Sequence, residues 1–509
     1  MKAPSDLHQL IRSLSKSEKR YFKIYANQHA KSADNNCVRL FDAIERQEEY
    51  NEASIRDQFS GERFTKQLPV QKNYLYDLIL KSLRAYHSAR SEEMRIKCLM
   101  QDVEILYARG LYLQCRDLLA RARALAASGE MFELGMIVVS WQIRIAYALH
   151  DLPLVRELAQ EKERLLEGAS NLNAYFNISI ELYDLDRTGG WLLDRSAGER
   201  IERLRNNPLL RDAENAGSFR ARLVYYNSHD VIAALTGDIN ASYENARQYL
   251  ALIESKPEWL AENTRNHIAA LSNAASACFR MHRFSEMNAY LKQLEELPAA
   301  IPALRARVQT SIYRHTLNRH VVAGEFAEAL GHLDAIGAGL GAMNGEVDVA
   351  AKGTIRYLMA YACFGAGEYR KSLEIVNDIL SASDPDARLD IQKAARILNL
   401  ILHFELGNND ILPYVIRSTY RYLQKRDQLH HAERCLLSLL RRLPGVSSRA
   451  ELPGLFQSVL VQLESAGSDP ADHALLRYID LSSWLRSKLG AGEFAELVAR
   501  RHCASSVAD

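Results

Sequence analysis

The sequence predicts an all-α protein: stacked helix pairs in a repeating array behind an N-terminal helical cap. Three observations carry that expectation. Sustained apolar/polar alternation, the mark of a half-buried strand, is absent, whereas apolar spacings of three and four recur throughout. Helix-breaking residues return about every 43 positions, at Gly110, Asp151, Gly237, His282, Gly324, Gly367 and Asn408; the double step from Asp151 to Gly237 hides one further turn near Arg195. Prolines interrupt no apolar stripe: Pro153 and Pro413 follow repeat turns, and Pro257, Pro298, Pro302, Pro385, Pro444 and Pro470 lie between expected helices. A residue without an N–H is tolerated in those places and not within a helix.

Residues 1–93 stand outside the period and read as a small helical bundle that caps the exposed end of the array. Ser15-Lys16-Ser17-Glu18 forms a capping box, in which Ser15 satisfies an orphan amide and Glu18 reaches back. The helix it opens carries Tyr21, Phe22 and Tyr25. Further helices are expected near 36–48 and 52–60, then a long one from Pro69 through Leu75, Leu78, Ile79 and Leu83.

Residues 94–509 are expected to form about nine or ten helix pairs, each burying its apolar face against its neighbours. Leu99, Val103, Leu106 and Tyr107 make one stripe; Leu118, Ala122 and Leu125 make the stripe of the next helix. Three turns share a pattern: Gly324-Glu325-Phe326, Gly367-Glu368-Tyr369 and Gly492-Glu493-Phe494. The glycine ends the first helix in a left-handed conformation, and the aromatic wedges between the pair. A small residue three places after it lets the backbones approach: Ala329, Ser372, Ser242 after Ile239, and Cys115 after Tyr112.

Glycine, aromatic and small residue in this order resemble the tetratricopeptide-repeat (TPR) family over roughly residues 94–500. The family unit is about 34 residues, and HEAT-like repeats, closer to the present period, are the second choice. Residues 183–215 and 443–455 fit poorly and are expected to be irregular connections. The stretches SLSKSEKRYFKIYA and KNYLYDLILKSLR are similar to those opening uncharacterised bacterial TPR-containing proteins, a resemblance that implies no function.

Composition excludes several classes. With 64 Lys+Arg against 63 Asp+Glu the net charge is +1, so no global field draws the chain to nucleic acid or an acidic membrane. Seven scattered cysteines without a C-x-x-C spacing argue against a disulfide framework or zinc module. The first residues lack a signal-peptide pattern, and the most apolar stretch, 135–149, is too short and too polar to span a bilayer. A cytoplasmic protein with reduced thiols is expected.

Catalytic signatures are missing, which points to a non-enzymatic chain with no cofactor and no metal. Gly337 to Ala342 matches G-x-G-x-x-A but follows a helix and reads as a flexible connection between repeats. His430, His431 and Cys435 offer two ligands one turn apart, and no third. Arg417, Arg421 and Lys425, with Arg426, form a basic patch beside Tyr414 and Tyr422, suited to phosphates or an acidic peptide, or else a solvated face paired with neighbouring acids. Lys16, Lys19, Arg20 and Lys23 form another stripe; with Lys72, Asn73 and Tyr76 they suggest a helix-turn-helix reading. Residues 1–93 are only slightly basic, which weakens it.

The TPR resemblance implies a right-handed α-α superhelix with a concave groove lined by the first helix of each pair, where a protein or peptide partner lies. Counting back from Gly324, Gly367 and Gly237 places Arg314 and Asn318, Tyr357 and Tyr361, and Asn227 and Val231 on that face. Arg314 with Asn318 is similar to the pair that grips a peptide carboxylate in some members, whereas the neighbouring units carry Ser272, Ser276 and the tyrosines instead. The expected function is an interaction scaffold or adaptor. The alternative is a transcriptional regulator with residues 1–93 on DNA and the repeats sensing a ligand.

Overall fold

A computed structural model of the chain describes residues 6–28, 35–88, 91–188, 195–298, 301–343, 345–381, 388–425, 429–442, 451–464 and 475–507. These are helical, with no strand among them. They divide into two compact units, Met1–Leu172 with Ala299–Pro302, and Asn173–Pro298 with Ala303–Asp509.

Two hydrophobic clusters of described residues lie in the first unit. Helices Asp6–Ser13, Lys16–Gln28, Asn36–Glu45, Glu52–Gln58 and Leu68–His87 enclose Phe22, Phe41, Ile44, Leu75 and Ile79. The capping box forms as its residues dictate: the Ser15 N–H donates to Glu18 Oε2 at 2.7 Å and the Glu18 N–H to Ser15 Oγ at 3.3 Å. Pro69 sits in the first turn of its helix. Helices Glu92–Tyr107, Tyr112–Ser128 and Phe132–Ala148 enclose the second core, around Ile96, Val103, Leu119, Ala122 and Val138. No helix among the described residues is long and apolar enough to cross a membrane.

Most helices of the second unit run as adjacent pairs: Phe219–Thr236 with Ile239–Glu254, Thr264–Arg280 with Phe284–Glu296, and Val349–Gly365 with Tyr369–Leu380. Leu389–Glu405 with Leu412–Lys425, and His431–Arg442 with Leu452–Glu464, continue the arrangement. The period reflects a backbone requirement at each turn. Gly110, Gly237, His282, Gly324 and Gly367 adopt φ values of 72°, 82°, 54°, 74° and 80°. At the other two turns the left-handed residue precedes the expected one, His150 rather than Asp151 and Gly407 rather than Asn408.

The small residues act at one register. Cys115, Ser242, Ala329 and Ser372 are all fully buried. Three of them bond back to the residue twelve places earlier: Cys115 Sγ to the Val103 carbonyl at 3.6 Å, Ser242 Oγ to Asp230 Oδ1 at 2.5 Å, and Ser372 Oγ to the Ala360 carbonyl at 2.7 Å. In these three pairs a short polar side chain closes the contact, and in the fourth Ala329 does, where a longer one would hold the backbones apart.

Three expectations need correction. Residues 183–215 are not simply irregular: one 37-residue helix, Leu152–Thr188, is followed by Arg195–Arg205 and two 3-10 turns, Pro208–Leu210 and Ala213–Asn215. No proline lies inside the long helix beyond its first turn, so nothing stops it. Gly337 to Ala342 is no connection but the end of helix Phe326–Ala342, and a Cβ on Gly339 would meet the Tyr313 hydroxyl. The glycine permits that close approach. Pro257 and Pro302 open helices rather than lying between them. Pro385, Pro444, Pro470 and residues 443–450 lie outside the described residues.

The C-terminal helices Leu481–Lys488 and Phe494–Val507 depart from packing confined to chain neighbours. Phe494 packs on Phe326 and Phe364, with ring centroids 5.6 and 5.3 Å apart. The left-handed Gly324 turn lies so close to this helix that a Cβ there would stand 2.6 Å from the Ala495 carbonyl oxygen.

Candidate functional site

The first helices of successive pairs bring a common face to a cavity of about 500 Å³ in the second unit. Ser276 and Arg280 come from helix Thr264–Arg280, Arg314, His315 and Asn318 from Pro302–Ala323, and Thr354, Tyr357 and Tyr361 from Val349–Gly365. Spacings of four keep each set on one side of its helix. Arg388 and Ile391 follow at the start of the next pair. The opposite wall is the returning C-terminal segment, through Arg477, Tyr478, Asp480, Val498, Arg501 and His502.

Four of the five groove residues read from the sequence, Arg314, Asn318, Tyr357 and Tyr361, therefore line one cavity. Asn227 does not: it is half-buried and accepts a hydrogen bond from Asn273 Nδ2 at 3.4 Å. The tyrosines differ from the expected open surface. Tyr357 is 2% and Tyr361 5% exposed. Tyr357 donates its hydroxyl proton to the Tyr478 carbonyl at 3.1 Å, and the Asp480 N–H donates to Tyr361 Oη at 2.9 Å. Burial raises the pKa of both phenols, so both stay neutral. Their rings form the cavity wall while their polar ends are engaged by the chain itself.

Electrostatically the cavity is cationic. Among the described residues it is lined by five arginines, Arg280, Arg314, Arg388, Arg477 and Arg501, and one carboxylate, Asp480. Some of these charges are neutralised. Arg388 binds Asp390 in a fork, with Nε and Nη2 at 2.8 and 2.5 Å from the two oxygens. Burial opposes the Arg388 charge, and the Asp390 pair more than offsets it, so its pKa is raised. Arg501 lies 2.9 Å from Asp480.

Others are not. Arg314 Nη2 donates to the ring nitrogen of His315 at 3.3 Å, and no carboxylate of a described residue pairs with it within 4.0 Å. Burial, and then the like charges of Arg388 and Arg280, push its pKa down to about 10, against the pull of Asp186. His315, 1% exposed, is held well below the usual histidine range by burial and by Arg314. Arg280 donates through Nη2 to Ser242 Oγ at 2.5 Å and lies 3.8 Å from Asp230, while its buried Nε has no hydrogen-bond partner.

Sequence reasoning missed Arg280, His315, Arg388, Arg477 and Arg501. Arg280 and His315 belong to the helices already singled out and neighbour predicted positions. The two C-terminal arginines carry no local signal, because only long-range packing delivers them to this wall.

The other candidates are placed elsewhere. Arg417, Arg421 and Lys425 are exposed along helix Leu412–Lys425, and no carboxylate of a described residue pairs with them; Arg426 lies outside the described residues. Tyr414 is 69% exposed, whereas Tyr422 stacks under Arg396 at 4.0 Å. Cys435 Sγ is 3.5 Å from His431 Nε2, and no group of three metal-ligating side chains occurs among the described residues. Two lysines of the N-terminal stripe are engaged within their bundle, Lys19 with Glu45 at 3.0 Å and Lys23 with Asp42 at 2.7 Å, and Lys72 on the helix opened by Pro69 pairs with Glu52 at 2.6 Å.

No protein-family model matches the chain, and no curated protein is significantly similar to it.

Proposed function

We propose that the chain is a non-enzymatic, cytoplasmic adaptor: a TPR-like, right-handed helical-repeat array that holds an acidic segment of a protein partner against the face bearing Arg314 and Asn318. The carrying observation is that successive first helices turn Arg314, Asn318, Tyr357 and Tyr361 toward one cavity whose charge is positive. Arginine supplies a rigid fork for a carboxylate, and the aromatic walls supply apolar area with little entropy to lose. Half-buried guanidinium groups, of which Arg314 has no carboxylate partner among the described residues, favour an anionic occupant, and an acidic segment supplies one.

Panning a synthetic peptide library on the full chain tests this reading, with Arg314→Glu as the comparison and circular dichroism to verify its fold. Enrichment of acidic peptides on the parent protein and its loss on the variant support the adaptor. Equal enrichment on both, or none, overturns it.

A further inference from the structure

The outward sides of helices Leu412–Lys425 and His431–Arg442 carry one sign of charge. Arg417, Arg421 and Lys425 recur every four residues, so they stand on one side of their helix in steps of about 6 Å. Arg434, Arg441 and Arg442 share one side of the next helix, and all six side chains are exposed. The two sides meet. The Arg441 guanidinium stands 4.7 Å from the ring centroid of Tyr420, which lies between Arg417 and Arg421 on the first helix.

No carboxylate of a described residue pairs with any of the six. Glu433, the one acid within the two helices, is fully buried against Lys393. Asp410 precedes the first helix, and Asp427, between the two, lies outside the described residues. Arg417 Nε and Arg434 Nη1 donate to the carbonyl groups of Pro413 at 3.3 Å and Leu429 at 2.8 Å, which leaves their charge uncompensated. Exposed arginines elsewhere find acids: Arg56 pairs with Glu52, Arg203 with Glu181 and Arg486 with Glu464. In a chain of net charge +1, an uncompensated basic face calls for an anionic partner.

Two features select among anions. Five of the six cations are arginine, whose fork suits phosphate oxygens, whereas an anionic lipid surface draws lysine and arginine alike. Tyr414, one turn before Arg417 on the same side, is 69% exposed, a ring free to stack on an unpaired base. We propose that this two-helix face binds a single-stranded nucleic acid, its phosphates along Arg417, Arg421, Lys425 and Arg441 and a base on Tyr414. The face shares no residue with the cavity lined by Arg314, so it stands independently of the adaptor reading.

Fluorescence anisotropy of the full chain with labelled oligo(U) and oligo(dT), at about 50 and about 200 mM salt, tests the proposal. Micromolar binding at the lower salt is expected, weakened about fiftyfold at the higher by the release of counterions from four phosphates. Arg417→Gln combined with Arg421→Gln removes two of these contacts and should weaken binding about tenfold and halve the salt slope. Tyr414→Ala should weaken it about fivefold, and Arg203→Gln, an exposed arginine outside the face, should leave it unchanged. All the substituted side chains are exposed, so the variants keep the fold. No binding at the lower salt, affinity unchanged in the double variant or in Tyr414→Ala, or an equal loss in Arg203→Gln overturns the proposal. So does equal affinity for a duplex, for polyglutamate or for phosphatidylserine vesicles.

Discussion

The Tyr361 hydroxyl accepts a hydrogen bond from the backbone N–H of Asp480, 119 residues further along the chain. With the Tyr357 bond to Tyr478, it fastens the C-terminal helices over the face that repeat counting marks as the groove. The cavity is thus closed on one side by the chain's own end.

Tyr361→Phe removes that acceptor and leaves the ring packing in place. We expect a cost of about 1 kcal/mol and faster amide hydrogen exchange in helices Leu481–Lys488 and Phe494–Val507 than in Val349–Gly365. Uniform exchange across all three would mean that this bond does not hold the C-terminal segment.

Two glycines with the same backbone conformation separate strain from crowding. Gly324 and Gly367 have φ of 74° and 80°, but a Cβ on Gly324 meets the Ala495 carbonyl at 2.6 Å whereas one on Gly367 meets nothing within 4 Å. Gly367→Ala should cost about 1–2 kcal/mol from the left-handed conformation alone. Gly324→Ala should cost about 1–3 kcal/mol more, from overpacking against the C-terminal helix. Chemical denaturation of the two variants measures the difference, and equal destabilisation would contradict the close approach.

Lys393 and Glu433, 1% and 0% exposed, meet at 2.5 Å between helices Leu389–Glu405 and His431–Arg442. Burial lowers the Lys393 pKa against the pull of Glu433. Lys393→Met strands the carboxylate and should cost about 3–5 kcal/mol, whereas adding Glu433→Leu should recover most of that loss. A double variant as unstable as the single one would show that packing, not charge, sets the cost.

Burial holds His315, His229, His267 and His403 below the ordinary histidine pKa of 6.5. The folded chain keeps these rings neutral while the unfolded chain binds protons as pH drops through that value. Fewer protons in the native state mean full stability above pH 6.5 and a decline as pH falls toward the depressed values, about 1.4 kcal/mol for each unit of depression. Asp230, raised from 3.8 by burial, acts oppositely: its contribution is greatest at low pH and is lost as pH rises through the folded value. The urea midpoint should therefore be lower at pH 5.5 than at 7.5, with a smaller difference in His315→Asn. A midpoint independent of pH would refute the buried neutral histidines.

The local features were legible because their causes are local. Gly237, Gly324 and Gly367 stand where the backbone turns left-handed, Ser15 and Glu18 satisfy each other's amides, and Ala329 and Ser372 sit where two helices nearly touch. The 37-residue helix was hidden because the counting assumed a turn in every unit. Glu130, left-handed at φ 50° between Tyr112–Ser128 and Phe132–Ala148, lies between the counted turns at Gly110 and Asp151 and so falls outside the period. Part of the cavity was legible: Arg314, Asn318, Tyr357 and Tyr361 follow from the turn positions. Arg477 and Arg501 do not, since the long-range contacts beside them, Tyr357 with Tyr478 and Phe326 with Phe494, leave no periodic trace.

Photocrosslinking tests the central claim most directly. A benzoylphenylalanine replaces Asn318 in one full-length variant and Arg421, on the exposed basic face, in another; each is irradiated with the acidic peptide selected by panning. Crosslinks at position 318 and not at 421 are the result this account predicts. Crosslinks at 421 with none at 318 would contradict it and move the binding face to helix Leu412–Lys425.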